Sequence, residues 1–158
     1  MFVRAKKVRF LEDVLVELTF QDGKIIQYDM SRMFSKYPQL EELRSNRSLF
    51  ENGQLDVGGY GIIWNDELDF DAMSIYESGK VVGREPISAN EKIGMLLLLT
   101  REEAGITQTE LAKQSGINQA DISRIERGVG NPTLAKIERL FAALNKQVSF
   151  SCEASLDI

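Results

Sequence analysis

The stretch Thr107-Gln108-Thr109-Glu110-Leu111-Ala112-Lys113-Gln114-Ser115-Gly116-Ile117-Asn118-Gln119-Ala120-Asp121-Ile122-Ser123-Arg124-Ile125-Glu126 decides how this chain is read. Counting from Gln108, a small residue falls at the fifth position, Ala112, and a glycine at the ninth, Gly116. A longer side chain at Ala112 would overpack a close helix crossing, at about 1–3 kcal/mol. Gly116 ends the first helix, because glycine takes positive φ without a Cβ clash. Leu111, Ile117, Ile122 and Ile125 are then the apolar wedge that holds two short helices at a steep angle.

Helical spacing continues on both sides of this pair. Asn90 to Ala104 predicts a first helix, with Ile93, Leu96, Leu97 and Thr100 along one face. Gln108 to Gln114 and Gln119 to Arg127 are the second and third. Pro132 to Leu144 is the fourth, with Leu134, Ile137, Leu140, Phe141 and Leu144 at helical intervals and Asn131-Pro132-Thr133 as its start signal. Gln147 to Cys152 alternates like a short final strand. Upstream, Val14 to Phe20 and Ile25 to Tyr28 read as strands around an Asp22-Gly23 turn. Short helical pieces are expected at Ser31–Phe34 and Gln39–Arg44, further strands at Leu55–Val57 and Gly61–Trp64, and a helix from Asp71 to Glu77 capped by Asp71. Gly79, Gly83 and Pro86 mark a linker. The expected fold class is α+β: a small α+β domain over 1–82, then an all-α four-helix domain with a short C-terminal strand over 88–158.

The net charge of −5 falls unevenly along the chain. Residues 1–82 hold 10 basic and 14 acidic side chains, and residues 83–158 hold 9 and 10. The helical half is therefore close to neutral, and non-specific phosphate attraction is weak. No run approaches the ~18–20 apolar residues of a membrane span, and Met1 to Lys7 lacks the apolar segment of a signal peptide. One cysteine, Cys152, excludes an intramolecular disulfide. These features predict a cytoplasmic protein. With no histidine in the chain, Cys152 has no partner for nucleophilic catalysis, and Asp66, Glu67, Asp69 and Asp71 read as surface and capping residues, not as a metal or acid/base site. No enzyme activity, cofactor or metal is expected. Gly58-Gly59-Tyr60-Gly61 lacks the lysine and following helix of a phosphate loop, so it reads as a turn or bulge.

The two-helix unit is a helix-turn-helix, which places its second helix in the major groove of DNA. Across Asn90 to Leu144 the chain resembles the phage-repressor-type (XRE, Cro/C1) helix-turn-helix family, on Arg101, Gly105, Thr107-Gln108, Leu111-Ala112, Gly116-Ile117, Ile122-Ser123, Glu126 and Gly128. Helix 119–127 is then the reading helix. Gln119 at its start can pair bidentately with adenine. Ala120 can meet a thymine methyl. Ser123 and Arg124 lie one turn on, and Arg124 is equally suited to guanine or to a phosphate. The resemblance implies that Gln108 touches a phosphate and the side chain heading the third helix. Asn118 either caps that helix or touches DNA. Asn131 and Thr133 open the fourth helix, where backbone N–H groups can meet a phosphate. Lys113, Arg127 and Lys136 are candidate phosphate neighbours. The resemblance also implies that Arg101 pairs with Glu126, joining helix one to helix three, and so does not contact DNA.

Val14 to Phe20, Gly23-Lys24, Tyr28 to Pro38 and Gly61-Ile62-Ile63-Trp64 with Glu67-Leu68-Asp69 resemble domain of unknown function family 2442, which implies no activity. The reading is a sequence-specific transcriptional regulator, a repressor acting on double-stranded DNA as a homodimer through the final strand or the first domain. Two alternatives remain. One is an antitoxin that binds a small toxin protein and represses its own operon. The other is an interaction adaptor that no longer binds DNA. A sensor role for the first domain has only that domain's existence behind it.

Overall fold

The computed structural model describes residues 3–151. The chain divides into two compact units, Met1–Lys92 and Ile93–Ile158.

The first unit is built on an antiparallel sheet of β1 (Ala5–Phe10), β2 (Leu15–Phe20), β3 (Lys24–Asp29) and β7 (Lys80–Arg84), in the order β1-β2-β3-β7. A smaller sheet joins β4 (Gln54–Leu55), β5 (Gly61–Ile63) and β6 (Asp69–Asp71). Val16 pairs with Tyr28 and Leu18 with Ile26 across β2 and β3, so the period-2 alternation sends these four side chains to one buried face. Short helical turns at Met30–Met33 and Pro38–Glu41, then α1 (Glu42–Ser45), α2 (Arg47–Glu51) and α3 (Ala72–Ser78), complete this unit. Their buried side chains Leu40, Leu43, Phe50 and Ile75 belong to the same core. Trp64 belongs to it too, and its indole N–H donates to the Phe50 carbonyl at 3.0 Å.

The turn expected at Asp22-Gly23 is present. Gly23 has φ +83, and a Cβ there would stand 2.5 Å from the Glu85 carbonyl oxygen. Asp71 caps α3 by accepting from the Ser74 N–H at 2.7 Å. In the Gly58–Gly61 stretch, Gly59 takes φ +73 and its carbonyl accepts from the Ala5 N–H at 2.7 Å.

The expected linker is corrected. Lys80–Arg84 is an edge strand on β3, so the first unit runs past residue 82. Gly79 permits close packing: a Cβ there would sit 2.4 Å from the Ile26 side chain and 2.6 Å from the Ile75 carbonyl oxygen. β1 was not expected either, because Lys6, Lys7 and Arg9 crowd it. They suit an edge strand whose charges find partners. Lys6 pairs with Glu85, and with Glu91 at 2.7 Å.

Glu91 also accepts from the Ser88 N–H at 2.7 Å, while the Ser88 hydroxyl accepts from the Glu91 N–H at 3.2 Å, a reciprocal cap. Burial pushes the Glu91 carboxyl up, but the Lys6 ammonium and the Ser88 donors outweigh it and bring its pKa down to about 2 from an ordinary 4.5. A carboxylate depressed in the folded state adds stability that is complete above about pH 4.5 and is lost as pH falls toward about 2. After allowance for solvent screening we expect about 1–2 kcal/mol. In acid titrations followed by thermal melting, Glu91→Gln therefore flattens the loss of Tm between those two pH values.

The second unit is helical: α4 (Ala89–Glu103, whose first turn lies before the division), α5 (Gln108–Ser115), α6 (Gln119–Glu126) and α7 (Leu134–Ala143). Leu97, Leu111, Ile117, Ile122, Ile125, Ile137, Leu140, Phe141 and Leu144 form its core. Thr107 opens α5 with a full capping box, accepting from the Glu110 N–H at 3.1 Å and donating its own N–H to the Glu110 carboxylate at 2.6 Å. The Thr107 N–H holds the Glu110 carboxyl below the usual carboxylate range. Gly116 closes α5 at φ +66, as its position requires.

Three expectations are corrected here. The inner face of α4 carries Gly94, Leu97, Leu98 and Arg101 at i, i+3, i+4, i+7, while Leu96 is 56% exposed. The helix is rotated this way because Gly94 fits against α6: a Cβ there would stand 2.1 Å from the Ile125 carbonyl oxygen. Secondly, α7 begins at Leu134 with Thr133 as its cap, so Pro132 precedes the cap and does not open the helix. Thirdly, residues 147–151 form no strand. Their alternation finds no partner strand among the described residues, and Cys152 lies outside them.

Gly94→Ala should lower stability by about 1–3 kcal/mol, because backbone on α6 must move to admit the methyl. Thermal unfolding of the full chain checks this. The usual helix-propensity gain of alanine over glycine, about 1 kcal/mol, would appear instead if the contact could yield freely.

Candidate nucleic-acid interface

The outer side of α6 follows from its buried side. Ile122, Ile125 and Glu126 are buried, so Ala120, Arg124 and the adjoining Arg127 lie on the opposite face, with Gln119 and Ser123 at its edge. Gln119, Ala120 and Arg124 are exposed, and Ser123 and Arg127 are half-buried.

A hydrogen-bonded chain runs from the interior to this face. Glu126 is 0% exposed and Arg101 8%. Arg101 grips both carboxylate oxygens, Nε to Oε1 at 2.6 Å and Nη2 to Oε2 at 3.0 Å, and its Nη1 donates to the Ile106 carbonyl at 2.8 Å. This is the pair implied by the family resemblance, and it ties α4 to α6. The Gln108 Nε2 donates to Glu126 Oε2 at 2.8 Å, and the Gln119 Nε2 donates to Gln108 Oε1 at 2.8 Å.

The amide orientations in this chain are forced. An ionised carboxylate only accepts, so Gln108 must turn its NH2 toward Glu126 and its carbonyl toward Gln119. Gln119 must then donate. One Gln119 N–H and its carbonyl oxygen remain for an outside partner. They form a donor and an acceptor side by side, the complement of adenine N7 and N6–H.

The other candidates divide. Asn118 accepts from the Ala120 N–H at 2.8 Å, so its side-chain oxygen caps α6. Thr133 accepts from the Lys136 N–H at 3.2 Å and caps α7. Asn131 is exposed before that cap. Arg127 bends back to the Ser123 carbonyl at 3.3 Å. Lys136 pairs with Asp121 at 2.7 Å, and this hydrogen bond holds the Asp121 carboxyl below its usual range. Lys113 is exposed. The sequence reading missed Arg139, which donates from α7 to the Ser115 carbonyl at 2.7 Å and braces the C-terminal end of α5. Nothing local in the sequence marks a contact across 24 residues.

A family profile described as Helix-turn-helix matches residues 97–150, and one described as a protein of unknown function (DUF2442) matches residues 5–81. Antitoxin HipB of Escherichia coli strain K12 is 33% identical over 70 residues, 44% of this chain and 78% of that protein. The chain belongs to the helix-turn-helix family. An uncharacterized HTH-type transcriptional regulator of Haemophilus influenzae is 42% identical over 53 residues, 34% of this chain. The chain spans about half the length of that relative, 54%. A solved structure from Nitrosomonas europaea aligns over 92% of this chain and 86% of its own at 15% identity, with a TM-score of 0.43, too distant to bear on the fold.

Among the described residues, no helix is long and apolar enough to cross a membrane. No described group of three or more histidine, cysteine, aspartate or glutamate side chains is placed to hold a metal ion.

Proposed function

We propose that this helix-turn-helix protein is a sequence-specific DNA-binding transcriptional regulator, a cytoplasmic repressor and not a catalyst, with α6 as the helix that reads the major groove. The observation that carries this reading is the relay Glu126–Gln108–Gln119, which holds an exposed amide in the one orientation that leaves a donor–acceptor pair free. Ala120, Ser123 and Arg124 extend the reading surface. Asn118 and Thr133 act by shaping helix starts whose free N–H groups suit phosphates, with Asn131 and Arg127 at the margin. The near-neutral charge of this half makes affinity depend on positioned contacts and on two copies binding together. A homodimer would then read inverted half-sites about 34 Å apart.

Selection of bound fragments from random duplexes at moderate salt tests the reading. Enrichment of an inverted repeat with half-sites spaced by one helical turn supports it. Folded protein that enriches nothing overturns it.

The likeness to antitoxin HipB favours one narrower form, in which the protein also binds a small toxin and represses its own operon. Co-expression with the product of the adjacent reading frame decides it: a stable complex and relief of growth arrest support an antitoxin.

A further inference from the structure

The first unit holds a cavity of about 450 Å³, within the range of small-molecule sites. Tyr28, Met33, Leu40 and Phe70 contribute its apolar wall, and the Tyr28 and Phe70 rings stack at 5.8 Å with an interplanar angle of 26°. Tyr28 is 1% exposed, and its hydroxyl is the buried side-chain polar atom that finds no hydrogen-bond partner among the described residues. Buried polar groups are nearly always paired, so an orphan hydroxyl on a residue of a cavity wall marks a place where something outside the chain completes the bond. The phenol is a neutral donor: burial raises it above its ordinary value and outweighs the Arg32 guanidinium, which pulls it down.

The charges around the cavity select the ligand. Glu67, Asp69 and Asp71 line it together with one lining cation, Lys36, and the Arg32 guanidinium lies over the Tyr28 ring, 5.2 Å from its centroid. The Lys36 ammonium lies over the Tyr37 ring, 5.0 Å from its centroid. Asp71 is committed to capping α3, whereas Glu67 and Asp69 have no side-chain partner among the described residues. Two unpaired carboxylates beside stacked aromatic rings favour a cation with a flat apolar body.

The geometry points to this cavity as a binding site for a small aromatic amine, whose ammonium meets Glu67 and Asp69 and whose ring packs on Tyr28 and Phe70, with an acceptor atom receiving the Tyr28 hydroxyl. This gives the first unit a sensing role independent of how α6 reads DNA.

The test is titration of the full 15N-labelled chain with tyramine, and with 4-hydroxyphenylacetate as the acidic counterpart of the same ring. Tyramine should shift amides around Glu67–Ser74 saturably at millimolar concentration or below, with the acid at least tenfold weaker. Tyr28→Phe should weaken tyramine about fivefold or more while melting no lower than the parent, since its hydroxyl finds no partner among the described residues. Glu67→Gln with Asp69→Asn, both exposed and safe for folding, should remove the preference for the amine. Absence of saturable shifts, equal binding of the acid, or unchanged binding in the double variant overturns the assignment. A lower melting point for Tyr28→Phe also overturns it, because the hydroxyl would then have an internal partner.

Discussion

Arg101→Ala lowers the unfolding free energy by about 3–5 kcal/mol, the largest single-residue effect expected in this chain. The substitution leaves the Glu126 carboxylate, 0% exposed, without the guanidinium that donates to both of its oxygens at 2.6 and 3.0 Å. Gln108 still donates to one of those oxygens, but a neutral amide does not replace the charge of a guanidinium. The Ile106 carbonyl loses its donor as well. Glu126→Ala removes the carboxylate that answers the buried Arg101 charge and should also be destabilising.

The double variant Arg101→Met with Glu126→Leu separates pairing from packing. Replacing both ions by apolar side chains of similar volume is often neutral or stabilising, because neither charge then has to leave water. Denaturant unfolding of the two single variants and the double gives the coupling directly. Singles destabilised by several kcal/mol and a double near the parent are the expected pattern. The double variant should nevertheless bind DNA poorly, because Gln108 has lost the acceptor that orients it. A single Arg101→Ala protein that melts like the parent but has lost DNA binding would make Arg101 a contact residue and reverse its assignment.

The contrast between the two halves shows what a sequence can and cannot disclose. The local contacts read from spacing inside the helix-turn-helix are present: the αL turn at Gly116 and the wedge of Leu111, Ile117, Ile122 and Ile125. Such contacts lie within one short segment, where helical geometry leaves one arrangement. The errors fall where a residue type does two jobs. Gly79 and Gly83 look like linker punctuation, yet Gly79 is small because Ile26 and Ile75 crowd it. Leu96 looks like core in a run of leucines, but the inner face of α4 is chosen by a glycine and an arginine, which hydrophobicity does not count. Lys6 and Arg9 disguise β1, whose charges are answered by Glu85, Glu91 and Glu17. The cavity beside Tyr28 was not legible at all, since its wall comes from β3, β6, α3 and the turns around Pro38.

Gln119→Ala should abolish the preference at the one base pair it reads in each half-site while leaving the fold intact. A bidentate glutamine–adenine contact is worth about 1–3 kcal/mol, and a dimer makes it twice. The expected loss is therefore about 2–6 kcal/mol, on the order of 30- to 10⁴-fold in Kd for the selected duplex. Circular dichroism and melting should barely change, because Gln119 is exposed and its side chain meets only the half-buried Gln108 amide among the described residues. The salt dependence should also stay constant, since no charge is removed. Gln119→Glu is the sharper test. A carboxylate cannot donate to Gln108 Oε1, and Gln108 cannot turn over while its NH2 is held by Glu126. Glutamate should therefore bind worse than alanine. Gln108→Ala should fall between them and the parent, because it frees the Gln119 amide without deleting it. Arg124→Ala resolves the remaining choice on this face: loss of discrimination at one base position marks base reading, whereas uniform weakening with a salt slope smaller by about one marks a phosphate contact. If Gln119→Ala and Gln119→Glu both bind the selected duplex as the parent does, the exposed amide is not what reads the groove.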